Sequence, residues 1–157
     1  MELIEEKIQQ FFISKHLTLS LAESCTGGGI AARLVQIPGA SKYFLGSLVT
    51  YATSAKSRLL GVAPSLLKEV GSVHENIARE MAKGARRQFG SDYALSVTGV
   101  AGPEPSQVAV GTVCFAIVGP FESTWTSHFS GSRSEVIEQA IEEALRQLVN
   151  IPHFFQR

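Results

Sequence analysis

Segments with the apolar period of a helix alternate along this chain with short apolar or β-branched runs, and that alternation restricts the fold more than any other feature. Ile4, Ile8, Phe11 and Phe12 keep helical spacing, and residues 17–22 follow as an apolar run that fits a buried strand. Residues 30–36 read as a helix stopped by Pro38 and Gly39, and residues 44–51 as a second strand. Thr53–Leu60 predicts a short helix closed by Gly61, and Pro64–Val70 another closed by Gly71. Ile77, Met81, Ala85 and Phe89 mark the buried stripe of a longer helix, with a strand expected over residues 92–97. Residues 110–118 and 123–129 read as antiparallel neighbours around Gly119-Pro120, and an apolar stripe from Val136 to Val149 predicts the last helix. Helices alternating with strands in this way cover both faces of a sheet. The expected fold is therefore α/β, a three-layer α/β/α sandwich with a mixed, mostly parallel sheet.

A chain of 157 residues is expected to form one domain over 1–157, burying roughly 68 to 70% of its unfolded surface. Lys and Arg number 14, as do Asp and Glu, so no surplus of positive charge is available to neutralise a phosphate backbone. That balance argues against a nucleic-acid partner. Cys25 and Cys114 are too far apart for a metal knuckle, and no His, Asp or Glu cluster has zinc-ligand spacing, so neither metal nor cofactor is expected. Two cysteines in apolar segments fit a reduced, cytoplasmic setting. No run reaches the ~18 apolar residues of a membrane span, and the acidic start resembles no leader, so a soluble, unprocessed protein is expected.

Four segments carry the chemistry. Glu23-Ser24-Cys25-Thr26-Gly27-Gly28-Gly29 is a strand-to-helix turn that delivers the Ser24 hydroxyl to the carboxyl edge of the sheet. Its glycines let amides approach an anion, or else Ser24 or Thr26 caps the helix and the glycines serve packing. Val49-Thr50-Tyr51 is followed by Lys56, and a desolvated lysine can take a proton from a serine while a tyrosine hydroxyl relays. The plainer reading leaves Lys56 solvated and the Tyr51 ring in the core. Thr98, Gly99 and the small residues up to Pro103 form a loop whose amides are candidate oxyanion donors, or a simple turn. Arg133, before the final helix, is placed to grip a phosphate or carboxylate, or is an ordinary surface arginine.

In order and spacing these segments resemble the family of the carboxy-terminal domain of the competence-damage protein CinA. The likeness runs through Ala22-Glu23-Ser24-Cys25-Thr26-Gly27-Gly28, Pro38-Gly39-Ala40-Ser41, Val49-Thr50-Tyr51 with Ala55-Lys56, and Gly71-Ser72-Val73. It continues through Val97-Thr98-Gly99-Val100-Ala101-Gly102-Pro103 and Val110-Gly111-Thr112-Val113. The resemblance implies an α/β/α sandwich in stand-alone form, without the molybdopterin-binding-like domain of longer members. It also implies hydrolysis of nicotinamide mononucleotide to nicotinate mononucleotide and ammonia in pyridine nucleotide metabolism, or a non-catalytic nucleotide-binding relative. The implied catalytic groups are Ser24, Tyr51 and Lys56, with Thr26, Gly27, Gly28, Ser41, Thr98, Gly99 and Arg133 on the substrate. Either Ser24 or Ser41 is the nucleophile, Ser24 being preferred for its exposed turn. The implied partner is a small nucleotide, and a homo-oligomer is open.

Two departures from the family pattern bear on the site. Only residues 104–109 separate Pro103 from Val110-Gly111-Thr112-Val113, where the family carries a longer loop ending in Lys-Pro, so one wall of the cleft is expected to be open. Gly131-Ser132-Arg133 keeps an arginine but lacks the carboxylate of a Gly-Asp-Arg. A rival chemistry is a cysteine amidase built on Cys25 with His74 or His128 as base.

Overall fold

The computed structural model describes residues 1–154, with side chains through 152. In chain order the elements are α1 (Ile4–Ser14), β1 (Leu19–Glu23), α2 (Gly29–Leu34), a 3-10 turn (Ala40–Lys42), β2 (Phe44–Val49), α3 (Thr53–Leu60) and α4 (Pro64–Val70). There follow α5 (Glu75–Phe89), β3 (Tyr93–Gly99), β4 (Thr112–Val118), β5 (Glu122–His128) and α6 (Arg133–Phe154). The expected elements are present with ends displaced by a few residues, and the 3-10 turn had no periodic signal to announce it.

One sheet runs in the order β2-β1-β3-β4-β5. β1 pairs parallel with both β2 and β3, while the β3–β4 and β4–β5 pairs are antiparallel. Pairing is thus evenly mixed, yet four of the five strands point the same way and only β4 is reversed. Burial follows the pleat. Leu19, Leu21, Tyr93, Leu95, Val97, Val113, Phe115 and Ile117 share a core with residues of α1, α2 and α6. On the other face Ala22, Ala94, Cys114, Ala116 and Val118 pack with residues of α3, α4 and α5. That second face is lined by small residues, so α5 lies close to it, and the Ser96 hydroxyl donates to the Ala78 carbonyl in α5. α3 approaches α5 equally closely at Gly84, where a Cβ would stand 2.1 Å from the Leu60 carbonyl oxygen.

This topology makes the site. The β1-to-β2 crossover passes through α2 on one face, and the β2-to-β3 crossover through α5 on the other. Ligand crevices in open α/β sheets lie where such crossovers diverge, outside the carboxyl ends of the strands. Here the register sets Glu23 beside both Val49 and Val97, so the segments leaving β1, β2 and β3 adjoin. The Ser24 amide donates to the Val97 carbonyl at 3.0 Å and the Thr50 amide to the Glu23 carbonyl at 2.8 Å. Among the described residues no helix is long and apolar enough to cross a membrane.

Candidate active site

Ser24 stands one residue beyond β1, at the head of a turn through Gly27 and Gly28, whose φ values of 60° and 96° lie in the left-handed region. The helix that follows does not present its amino terminus to a ligand. The Glu23 carboxylate already occupies it, accepting from the Ile30 amide at 2.9 Å and the Ala31 amide at 3.3 Å. Thr26 donates its hydroxyl to the same carboxylate at 2.7 Å, and so does Ser47 of β2 at 2.8 Å. The anion expected at this helix end is thus the chain's own. Neither Ser24 nor Thr26 caps α2; Glu23 does, a role that pairing of neighbours in the sequence did not suggest.

Lys56, near the start of α3, is only 1% exposed, which sets aside the solvated reading. Its Nζ stands 3.0 Å from Ser24 Oγ, 2.7 Å from the Thr50 carbonyl and 3.4 Å from the Tyr51 carbonyl. No carboxylate pairs with it among the described residues. Burial therefore pushes its pKa down to about 8, with the neighbouring Cys25 acting weakly in the opposite sense. A neutral amine has two N–H bonds and one lone pair. The two carbonyls can hold the hydrogens, and the lone pair then faces Ser24 Oγ.

The remaining polar groups enclose a cleft of about 480 Å³ lined by Ser24, Cys25, Tyr51, Lys56, Thr98, Gly99 and Arg133 among others. Tyr51 is 61% exposed, so its ring is not in the core. Its hydroxyl accepts from an Arg133 Nη2 at 2.8 Å, and the other Arg133 nitrogen donates to the Gly102 carbonyl. Arg133 thereby joins the segment after β2 to the loop after β3. Thr98, at the end of β3, donates to the Ser72 carbonyl at 2.8 Å and brings the Ser72-Val73 loop against the cleft. The short loop still builds a wall: Glu104 and Ser106 line the cleft, and Gln107 lies against Gly71. Within that loop the Ser106 amide donates to the Val108 carbonyl at 3.2 Å.

Four expected substrate contacts, Thr26, Gly27, Gly28 and Ser41, are not on this lining. Thr26, Gly27 and Gly28 shape the turn behind Ser24. Ser41 sits in the 3-10 turn and lines a different hollow with Val35, Ile37, Phe44 and Leu45, so the two candidate nucleophiles do not share a cleft within one chain. The cysteine alternative lacks its parts. Burial pushes the Cys25 thiol up to about 12, His74 Nδ1 accepts the Asn76 amide as the cap of α5, and His128 pairs with Thr112 on the far strands. Among the described residues no group of three or more His, Cys, Asp or Glu side chains is arranged to hold a metal.

Comparison with known proteins gives the family and agrees with the fold. The family model of the CinA C-terminal domain matches residues 1–151. A CinA-like protein of Geobacter metallireducens is 49% identical over 138 residues, covering 86% of this chain and 33% of that protein. A putative competence-damage inducible protein of Desulforamulus reducens is 41% identical over 157 residues, covering 99% of this chain and 38% of its own length. The chain thus spans about a third of the length of these curated relatives. Among solved structures, a competence-damaged protein (CinA) superfamily protein from Enterobacter cloacae superposes with a TM-score of 0.91 at 35% identity, covering 94% of this chain and 89% of that one. The competence damage-inducible protein A (ComA) from Klebsiella pneumoniae gives 0.93 at 30% identity, covering 96% and 95%. The chain, with its Ser24–Lys56 cleft at the carboxyl edge of a mixed sheet, belongs to the CinA C-terminal domain family.

Proposed function

We propose that this chain is a serine amidohydrolase that converts nicotinamide mononucleotide and water to nicotinate mononucleotide and ammonia. The observation that carries this reading is the buried, unpaired Lys56 amine 3.0 Å from the Ser24 hydroxyl. A lysine with a pKa of about 8 is partly neutral at physiological pH and serves as a general base. Lys56 takes the Ser24 proton as Oγ adds to the carboxamide carbon, and the resulting ammonium returns that proton to the leaving nitrogen. Ammonia departs and an acyl ester remains on Ser24. Water then gives a proton to Lys56 as it attacks the ester, and Ser24 Oγ leaves with that proton, releasing the carboxylic acid, which ionises to the carboxylate by giving its remaining proton to solvent or to the ammonia. Amides of the loop from Gly99 to Gly102, apart from that of Val100, which donates to the Thr112 carbonyl, are candidate donors to the developing oxyanion. Arg133 at the rim supplies the charge for the nucleotide phosphate, with Tyr51 beside it.

Ammonia release from nicotinamide mononucleotide by the purified chain tests the reading, with Ser24→Ala as the control. Release that disappears in the variant supports it. Tight nucleotide binding without ammonia from either protein would identify a non-catalytic binding member instead.

A further inference from the structure

Glu23 is a fully buried carboxylate with no cationic partner among the described residues. Burying such a charge is costly unless hydrogen bonds replace its water. Four donors do so here, from three separate pieces of chain: the Thr26 hydroxyl in the turn, the Ile30 and Ala31 amides in the first turn of α2, and the Ser47 hydroxyl on β2. Ser24 is the adjacent residue. The turn that holds it has little rigidity of its own, since two of its positions are glycines with positive φ and its internal bonds are Gly27 amide to Ser24 carbonyl and Gly29 amide to Thr26 carbonyl. β2, the strand that Ser47 clamps to Glu23, also leads directly into Thr50 and Tyr51, whose carbonyls hold the Lys56 amine.

We infer that Glu23 is a positioning residue, which fixes the Ser24 hydroxyl relative to Lys56 by tying the turn, α2 and β2 to one carboxylate. The inference rests on the reading of Ser24 as nucleophile given above. It places the role of an internal anion where phosphate-binding folds place a ligand, and leaves the substrate's anionic group to the Arg133 side of the cleft. Glu23→Gln keeps the volume and removes one acceptor oxygen, setting an N–H against the Ala31 amide. Displacing a reacting group by about 1 Å costs on the order of 100-fold in rate, so the loss should appear in the reactivity of Ser24 itself.

The test is phosphonylation of Ser24 by a fluorophosphonate, in which Oγ forms the bond to phosphorus and fluoride leaves with the serine proton as hydrogen fluoride. Peptide mass spectrometry gives the rate. Glu23→Gln should melt cooperatively and label Ser24 roughly 10- to 100-fold more slowly at temperatures where it is folded. Its labelling should keep the wild-type pH midpoint, because the carbonyls around Lys56 are untouched. On nicotinamide mononucleotide its kcat should fall while KM stays within about twofold. Ser47→Ala, which removes one donor and keeps the carboxylate, should show a smaller loss of the same kind. A folded Glu23→Gln that labels at the wild-type rate overturns the inference, and so does Ser47→Ala at the wild-type rate should the first variant not fold. Wild-type protein that labels at Ser24 but releases no ammonia would defeat the proposed reaction and leave Glu23 in its role, whereas wild-type Ser24 that never labels removes both.

Discussion

Lys56 Nζ meets Ser24 Oγ at 3.0 Å across 32 residues of sequence, held by two backbone carbonyls and paired with no carboxylate among the described residues. Desolvation therefore decides its protonation. Because burial brings the pKa down to about 8, turnover should climb with pH through a midpoint near 8 as the amine becomes neutral. Lys56→Arg stays protonated and should lose about 100- to 10,000-fold in kcat at every pH, which a pH–rate profile of both proteins would check. A wild-type profile flat from pH 6 to 10 would be incompatible with a lysine base.

The same shift predicts a stability signature. Between the folded value of about 8 and the ordinary lysine value of 10.5 the unfolded chain binds more protons than the native one, so this group's destabilisation is full below about 8 and is relieved as pH rises toward 10.5. The span corresponds to on the order of 3 kcal/mol. Lys56→Met removes the buried charge, and denaturant melts should show its stability relative to wild type falling steadily between pH 8 and 10.5. A difference that does not change over that window would mean that Lys56 does not titrate as described.

Ser24 and Cys25 are neighbours in one turn, yet among the described residues only the hydroxyl is hydrogen-bonded to the Lys56 amine. Ser24→Ala should remove most turnover. Cys25→Ala should keep at least about a third of it, since the thiol, pushed up to about 12, stays protonated at neutral pH. Loss in the reverse order would restore the cysteine amidase.

Arg133 holds the Tyr51 hydroxyl and the Gly102 carbonyl at once. Arg133→Ala should raise KM on the nucleotide about tenfold or more, because both a charge and a tie between two cleft walls are lost. Arg133→Lys should recover only part of it, the fork being gone. A fragment substrate without phosphate, such as free nicotinamide, should show a much smaller difference between these proteins.

Chelator treatment should leave activity unchanged, because in the proposed reaction Ser24 and Lys56 supply both nucleophile and base. Activity that disappears with chelator and returns with one added divalent ion would require a different chemistry.

The alternating pattern made the layered fold legible, and specific residues explain why the boundaries and parts of the site were not. Gly61 and Gly90 end α3 and α5 in left-handed conformations, signals that can be read locally. Lys56 was ambiguous because its setting depends on Thr50 and Tyr51 bending back over it, and nothing in its own helix marks it as buried. Glu23 was read only as part of a turn, since three of its four donors lie seven or more residues away. Ser41 belongs to a motif of the resemblance, but a motif carries no distance, and its 3-10 turn opens on another surface. The plainer reading put the Tyr51 ring in the core because a strand was expected to run through it, and the strand ends two residues before it.

Gly84 touches nothing in the cleft, yet the Leu60 carbonyl rests where its side chain would be. Leu60 ends the helix that carries Lys56, and the Val62 amide closes back on the Lys56 carbonyl at 3.2 Å. The missing methyl therefore works as a depth stop. A bulkier residue at 84 would meet the Leu60 carbonyl and push α3, the helix that carries Lys56, away from α5. The position that limits how closely this helix can approach is thus one that no inspection of the cleft would single out.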